Sequence, residues 1–482
     1  MNDFALDFRL VLPELVLLGG LSVVLLVDLW LPQARRGITH FLALLTLAFA
    51  ALLTLREFHV PGEVGRAFGG MFLRDAMGDG LKTVLYLLAG AVFVYGRAYL
   101  AERRLWKGEF YVLVLAALLG MMALVSAGNL LAVYLGLELM ALSSYALVAF
   151  DRDAPRSSEA AIKYFVLGAL ASGLMLYGMS MLYGATGSLD LAAIRQAALE
   201  GSASPELLRL GTVFLIAGIA FKFGAAPFHT WLPDVYQGSP SAITLFVGSL
   251  PKVAAFAMAF RLLEGGLKPL LEFWQPILIA IAMLSLSLGN VVALAQSNLK
   301  RMLAYSNMLH VGFILIGLSS GTAYGYASAM VYTLFYTVAA AGAFGTIVVL
   351  SARGFEAERI EDYRGLARRA PWHAFLMMLL MASLAGFPPL FGFFAKILIL
   401  KAVVGAELIW VAVFALVFAV VGAFYYLRIV KLMFFDEPSE ERMPAPTSDP
   451  AVRLALSVNA LIQLLALFAW GPLLSFCLDT FS

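Results

Sequence analysis

The sequence predicts an all-α, polytopic membrane protein with about fourteen transmembrane helices, and three observations predict it. Of 482 residues, 62% are hydrophobic and 13% charged, about half the roughly 25% charged share of a soluble globular protein. The apolar residues fall into stretches of about 20, long enough to cross a bilayer as helix. Two of these stretches are interrupted by glycine and proline beside a lysine, which is tolerated at membrane depth only where protein or a wet cavity satisfies the freed backbone groups. A net charge of +2, with cations spread along the chain, gives nucleic-acid binding no basis. The single Cys477 excludes an intrachain disulfide or a thiolate cluster.

The expected spans run over residues 10–31, 38–57, 80–100, 109–127, 129–150, 157–184, 207–230, 240–263, 271–295, 299–319, 325–351, 372–402, 407–433 and 450–474. The first contains Pro13 and Glu14 and lacks a small-residue cleavage site, so it reads as a retained span and not a signal peptide. The fourth and fifth are separated by little more than Gly128. Of the longer loops, 58–79, 185–206, 352–371 and 434–449, the first holds Gly and Pro suited to a short hairpin. Loops after odd-numbered spans, from Arg35 and Arg36 to Arg442 and Arg453, carry roughly twice the Lys and Arg of the opposite side, which places both termini away from the cytoplasm.

Ionisable groups at span centres cost about 2.5–3.5 kcal/mol each on insertion scales, so each needs a partner or a task. Glu138 lies about 14 Å along its helix from Asn129, and Lys252 about 18 Å from Pro240. Lys222 precedes the Gly224–Pro227 break of the seventh span; Lys396 follows the Gly386, Pro388, Pro389 break of the twelfth. Spans five apart run in opposite directions, so the pattern predicts two inverted five-helix repeats, spans 4–8 and 9–13, with broken helices 7 and 12. One membrane domain, 1–482, then divides into N-terminal spans 1–108, repeats 109–264 and 271–433, and a last span 450–474. Gly168 and Ser172 need only close helix packing, and Glu14 and Asp28, near span ends, read as interfacial.

Four further residues have two readings each. Lys163, about 9 Å into its helix, suits proton transfer or a side chain reaching the headgroups. His310, about 15 Å from Lys300, suits a relay or a packing histidine that donates to a carbonyl. His229, just past Pro227, suits a relay or a donor to freed carbonyls, and Lys300 an interfacial anchor or a proton-uptake group. No phosphate loop, dinucleotide fingerprint, metal-spaced His pair or nucleophile triad occurs in the sequence. Buried lysines with a carboxylate can hold and trade protons, because burial penalises the ammonium and a nearby carboxylate restores it.

The segments AFKFGAAPFHTWLPD and KRMLAYSNMLHVGF, the glutamate of the fifth span, the lysines of the seventh and eighth, and the broken twelfth span with a charged residue resemble the antiporter-like subunits of respiratory complex I over nearly the whole chain. The resemblance implies proton translocation, with Glu138 tuning Lys222, Lys222 holding the proton, Lys252 and His310 relaying it and Lys396 releasing it to the periplasm. Lys163 would lie near an adjacent subunit. It implies no cofactor in this chain, with NADH, FMN, iron–sulfur clusters and quinone in other subunits. The implied partners are an M-type antiporter-like subunit, small K/J-type subunits and the lipid of a bacterial inner membrane. Lys396, where M-type subunits and antiporter relatives usually carry Glu, and a chain stopping soon after its last span without a long lateral helix are expected of one branch of the family. The alternatives are a multisubunit cation/proton antiporter, a membrane-bound hydrogenase subunit, and a structural scaffold whose charges only bridge helices.

Overall fold

The computed structural model describes residues 7–438, 446–447 and 449–481; Arg442, counted above among the loop cations, lies outside them. The chain is helical almost throughout, and among the described residues ten helices are long and apolar enough to span a membrane, or up to eleven if a bent pair near the C-terminus counts as one. In chain order the helices are α1 (Leu12–Asp28), α2 (Gly37–Arg56), α3 (Ala76–Glu102), α4 (Gly108–Val125), α5 (Leu130–Val148), α6 (Pro155–Thr186), α7 (Leu191–Glu200), α8 (Pro205–Phe223), α9 (Trp231–Gly238), α10 (Ser241–Phe260), α11 (Leu271–Leu294), α12 (Leu299–Ser319) and α13 (Ala323–Leu350). A four-residue turn of helix, Leu366–Arg369, precedes α14 (Pro371–Ala385), α15 (Phe391–Gly405), α16 (Ile409–Phe434), α17 (Pro450–Leu465) and α18 (Trp470–Phe481).

The expected count of fourteen is not reached, for reasons visible in the residues. α1 has 17 residues, α8 carries Glu206, Arg209 and Lys222, and α14 and α15 are separated by a break. The last expected span is not straight: α17 and α18 meet at 81°, because Pro472, in the first turn of α18, lacks the N–H that would continue α17. The loop before α3 does hold a hairpin, β1 (Val64–Ala67) against β2 (Phe72–Asp75), with Val64 opposite Asp75. Asp75 ends it as the N-cap of α3, accepting from Gly78 N–H at 2.8 Å. Its carboxylate also takes a two-pronged contact from Arg261 at 2.6 and 2.8 Å. Burial pushes the Asp75 carboxyl up, yet the Arg261 guanidinium outweighs it and holds the group below the usual carboxylate range.

Apolar surface decides which helices are central. α10, α12 and α13 are almost wholly buried, whereas α2, α6 and α16 turn residues such as Phe41, Leu170 and Val420 outward. With lipid as apolar as leucine, helix contact rests on close packing. At the α4–α5 crossing a Cβ on Gly120 would stand 2.5 Å from Met140 N, and one on Gly136 would stand 2.9 Å from Gly120 O. Gly168 similarly leaves room for the Tyr145 ring, as its small side chain suggested.

Glu14, expected to be interfacial, is packed inside the protein. It is 9% exposed and meets Lys82 of α3, itself fully buried, at 2.6 Å. Removing one member strands the other charge in an apolar region. Lys82→Met is expected to destabilise the protein by about 3–5 kcal/mol, read as earlier thermal loss of the purified assembly, while Glu14→Leu combined with Lys82→Met recovers most of it. A single Lys82→Met variant with unaltered thermal stability would show that the pair contributes nothing.

Candidate functional site

Both predicted helix breaks are present, and each organises a lysine. α8 ends at Gly224, whose left-handed backbone (φ +75°) a side chain would strain, and the chain resumes helix only at Trp231. α14 ends likewise at Gly386 (φ +92°), and helix resumes at Phe391. Interrupting a helix frees carbonyls that lipid cannot satisfy. At the second break Lys396 supplies the donors: its Nζ bonds Leu384 O at 3.0 Å and Ala385 O at 2.7 Å. At the first, Asn307 of α12 donates to Phe223 O at 3.1 Å and Ser285 of α11 accepts from Ala226 N–H at 2.9 Å.

Lys252 is positioned by a different backbone defect. Pro251 sits inside α10 and cannot donate to Val247 O, four residues back. Lys252 Nζ takes that carbonyl at 3.2 Å and also donates to Tyr236 Oη at 2.9 Å. The rings of Trp231 and Tyr236 lie 5.6 and 5.4 Å from the ammonium, within cation–π reach. The side chain has no solvent exposure.

His310 is fully buried between two phenols, with Nδ1 2.9 Å from Tyr332 Oη and Nε2 2.9 Å from Tyr426 Oη. Tyr426 also contacts Ser306, and the Tyr336 ring stacks on the imidazole at 4.7 Å. Tyr336 Oη donates to Asn307 Oδ1 at 2.8 Å, and Asn307 reaches the broken end of α8. Polar groups therefore run from the carbonyl beside Lys222 through Asn307 and Tyr336 to His310, the side chain of Tyr336 stacking where the hydrogen bonds stop. An imidazole with a hydroxyl on each nitrogen can accept on one side and donate on the other. His310 thus has side-chain partners on both nitrogens, not the backbone carbonyl of a packing histidine.

The other residues are dispersed. Lys222 is 6% exposed and faces the Phe221 ring at 5.7 Å. Glu138 is the acid whose field reaches it, without a direct ion pair among the described residues. Glu138 itself is half-buried on an α5 face that exposes Leu131, Leu135 and Leu142, and its Oε1 has no hydrogen-bond partner. Lys163 is not in the core. Its half-exposed side chain bonds Asp234 at 2.9 Å and Glu159 at 2.7 Å in a cleft of about 210 Å³ that also involves Arg156 and Gln237. Asp234 pairs with Arg301 as well, at 2.9 Å. Burial raises its carboxyl, but Lys163 and Arg301 outweigh this and bring it below the ordinary range. His229 is half-exposed with no partner on Nδ1, and Lys300, 2% exposed, donates to Ser239 O at 2.6 Å.

The sequence reading missed the hydroxyls. Tyr236 bonds Lys252, Tyr332 and Tyr426 bond His310, and Tyr336 bonds Asn307, while Asp234 and Arg301 complete the Lys163 cleft. A signal was present: a tyrosine deep in a span needs a partner for its O–H, and Tyr332 and Tyr336 stand one helical turn apart.

Residues 127–422 match the family described as NADH:quinone oxidoreductase/Mrp antiporter, TM. NADH-quinone oxidoreductase subunit N of Thioalkalivibrio sulfidiphilus is 51% identical over 470 residues, covering 97% of each chain. Among solved structures, a chain of respiratory complex I from Thermus thermophilus with bound aureothin superposes with a TM-score of 0.82 at 33% identity, over 96% of this chain and 98% of that one. A chain of the Mrp complex from Dietzia shares the fold at a TM-score of 0.78 and 20% identity, over 100% of this chain and 97% of that one.

Proposed function

The chain belongs to the NADH:quinone oxidoreductase/Mrp antiporter transmembrane family, and on that premise we propose that it is a proton-translocating membrane-arm subunit of NADH-quinone oxidoreductase, of the subunit N type. It is a multi-pass membrane protein, and it serves the enzyme as a non-redox subunit that couples quinone reduction to proton movement. The observation that supports this best is the row of buried bases. Lys252, His310 and Lys396 each have less than a tenth of their surface exposed, and each is bonded to a tyrosine or to a carbonyl freed by a helix defect. Ionisable groups within a membrane pair with one another or with backbone carbonyls, and mark proton and ion pathways. These three are matched by dipoles, which hold a proton without trapping it.

In this reading Glu138 tunes Lys222, Lys222 holds the proton, Lys252 and His310 relay it and Lys396 releases it toward the periplasm. Lys163, His229 and Lys300 serve at the margins of the path. The α5 face that carries Glu138 beside the exposed Leu131, Leu135 and Leu142, and the Lys163 cleft, suit contact with an adjacent M-type subunit or a small K/J-type subunit. The two breaks, with Lys222 before one and Lys396 after the other, suit inverted repeats over 109–264 and 271–433. NADH, FMN, iron–sulfur clusters and quinone are assigned to other subunits, the protein to the bacterial inner membrane, and both termini to its periplasmic side.

The test is Lys252→Ala in native membranes, with assembly of the complex verified. NADH-driven proton pumping and NADH:quinone turnover are both expected to fall about tenfold or more, since electron flow cannot proceed without the coupled proton step. If both remain at the unsubstituted level, the chain is not a proton path. The cation/proton antiporter reading predicts instead that exchange persists without NADH.

A further inference from the structure

Glu356 is set apart from the other loop carboxylates by how it is held. Its segment leaves α13 through a tight turn in which Ala352 and Phe355 exchange backbone hydrogen bonds, both 3.0 Å. It then pairs with the chain just before α12: Leu299 N–H donates to Glu358 O at 2.6 Å, Ile360 N–H to Ser297 O at 2.9 Å, and Asn298 faces Arg359 in an antiparallel bridge. This brings the segment to the first turn of α12, which contains Lys300, without a direct ion pair between Lys300 and Glu356 among the described residues. Tyr99 and Ser241 donate to Oε1, Ser241 at 2.7 Å, and Arg103 pairs with Oε2 at 2.5 Å.

The segment 239–241, joining α9 to α10, leads inward. Lys300 donates to Ser239 O; the Ser239 hydroxyl lies 2.9 Å from that of Thr244; Thr244 donates to Tyr236 O at 3.0 Å; and Tyr236 Oη accepts from Lys252. Polar groups therefore extend from Lys300 and Glu356 to the Tyr236 carbonyl, where the hydrogen bonds stop, and the ring of Tyr236 separates that carbonyl from the phenol that holds the fully buried Lys252. Burial pushes the Glu356 carboxyl up, but the cations Lys300 and Arg103, with the two hydroxyl donors, outweigh it, and the group lies below its usual range. It is therefore an anion at neutral pH. The other ionisable groups facing it or Lys300 are Glu358, which Arg156 approaches at 4.0 Å, and Tyr363, whose hydroxyl donates to Ala357 O.

We propose that Glu356 is a positioning residue for proton uptake, whose carboxylate, through its field and not through an ion pair, keeps Lys300 charged at the outer end of the polar groups that lead toward Lys252. This rests on the proton-translocating reading above. A carboxylate beside a lysine favours the ammonium, so removing it lets Lys300 lose its proton at lower pH. A clamp that merely joined the loop to α3 would leave the pH dependence where it is.

The experiment measures NADH:quinone turnover and proton pumping of the assembled complex from about pH 6 to pH 10, for Glu356→Gln, Glu356→Asp and Arg103→Met, with Lys252→Ala as reference. Glu356→Gln is expected to move the alkaline limb to lower pH by about one unit, with turnover near normal at the acidic end, and Glu356→Asp to restore most of the shift. An unmoved limb in Glu356→Gln, or an equal loss at every pH shared with Arg103→Met, overturns the proposal and leaves a structural clamp. If Lys252→Ala is impaired while the limb stays fixed, only this inference fails. If Lys252→Ala is inert, the proton-translocating reading fails with it.

Discussion

Lys222→Ala, in complex whose assembly is verified, is expected to lower NADH-driven proton pumping and electron transfer together, by about tenfold or more. The size follows from the residue's isolation. Lys222 is 6% exposed at the broken end of α8, and no side-chain hydrogen bond competes for its ammonium among the described residues. Its ammonium thus has only weak neighbours, the Phe221 face and the field of Glu138. Lys222→Arg separates charge from proton transfer. A guanidinium keeps the cation but does not deprotonate in a protein. It should preserve assembly and still fail to pump. Normal pumping in Lys222→Arg would mean that only a fixed positive charge is needed at this break, and that protons pass elsewhere.

Lys396→Met is expected to damage both stability and function. The ammonium satisfies Leu384 O and Ala385 O, the carbonyls freed where α14 ends, and a methionine cannot donate. Each carbonyl left without a donor costs about 1–3 kcal/mol, seen as earlier thermal loss of the assembly. Turnover should drop about tenfold or more, because the group next to the second break no longer carries a proton. Lys396→Gln supplies amide donors without a titrating group. Its stability should recover towards the unsubstituted level while its pumping should not. A Lys396→Gln variant that pumps normally would reduce Lys396 to a cap for a broken helix.

These two residues were legible in the sequence for a shared reason. A lysine in an apolar span violates composition, and a glycine with prolines beside it violates helix continuity; the coincidence of both marks the place without any knowledge of the packing. Lys252 was legible by its charge alone, but its hydrogen bond to Val247 O needed the insight that Pro251 leaves that carbonyl free. Lys163 shows the limit. Its depth along α6 allowed a core role, whereas the helix rotation turns it into an exposed cleft with Asp234 and Glu159. Glu14 shows the converse: depth suggested an interfacial residue, and Lys82, from a helix more than fifty residues on, makes it a buried pair.

Sequence alone determined the class of the protein, because transfer free energy is a property of each residue and its near neighbours: apolar stretches become spans, and charges within them stand out one by one. It determined the breaks for the same reason, proline and glycine acting on their own turn of helix. Only the tertiary structure decided which groups the buried bases meet. Tyr236, Tyr332, Tyr336, Tyr426, Asn307 and Glu356 are unremarkable residues individually, and they gain meaning when α9, α12, α13 and α16 converge on the buried bases. Hydrogen bonds form over about 3 Å between residues that the chain separates by as many as a hundred positions or more, and rotating any of these helices about its axis by one residue, about 100°, would undo them.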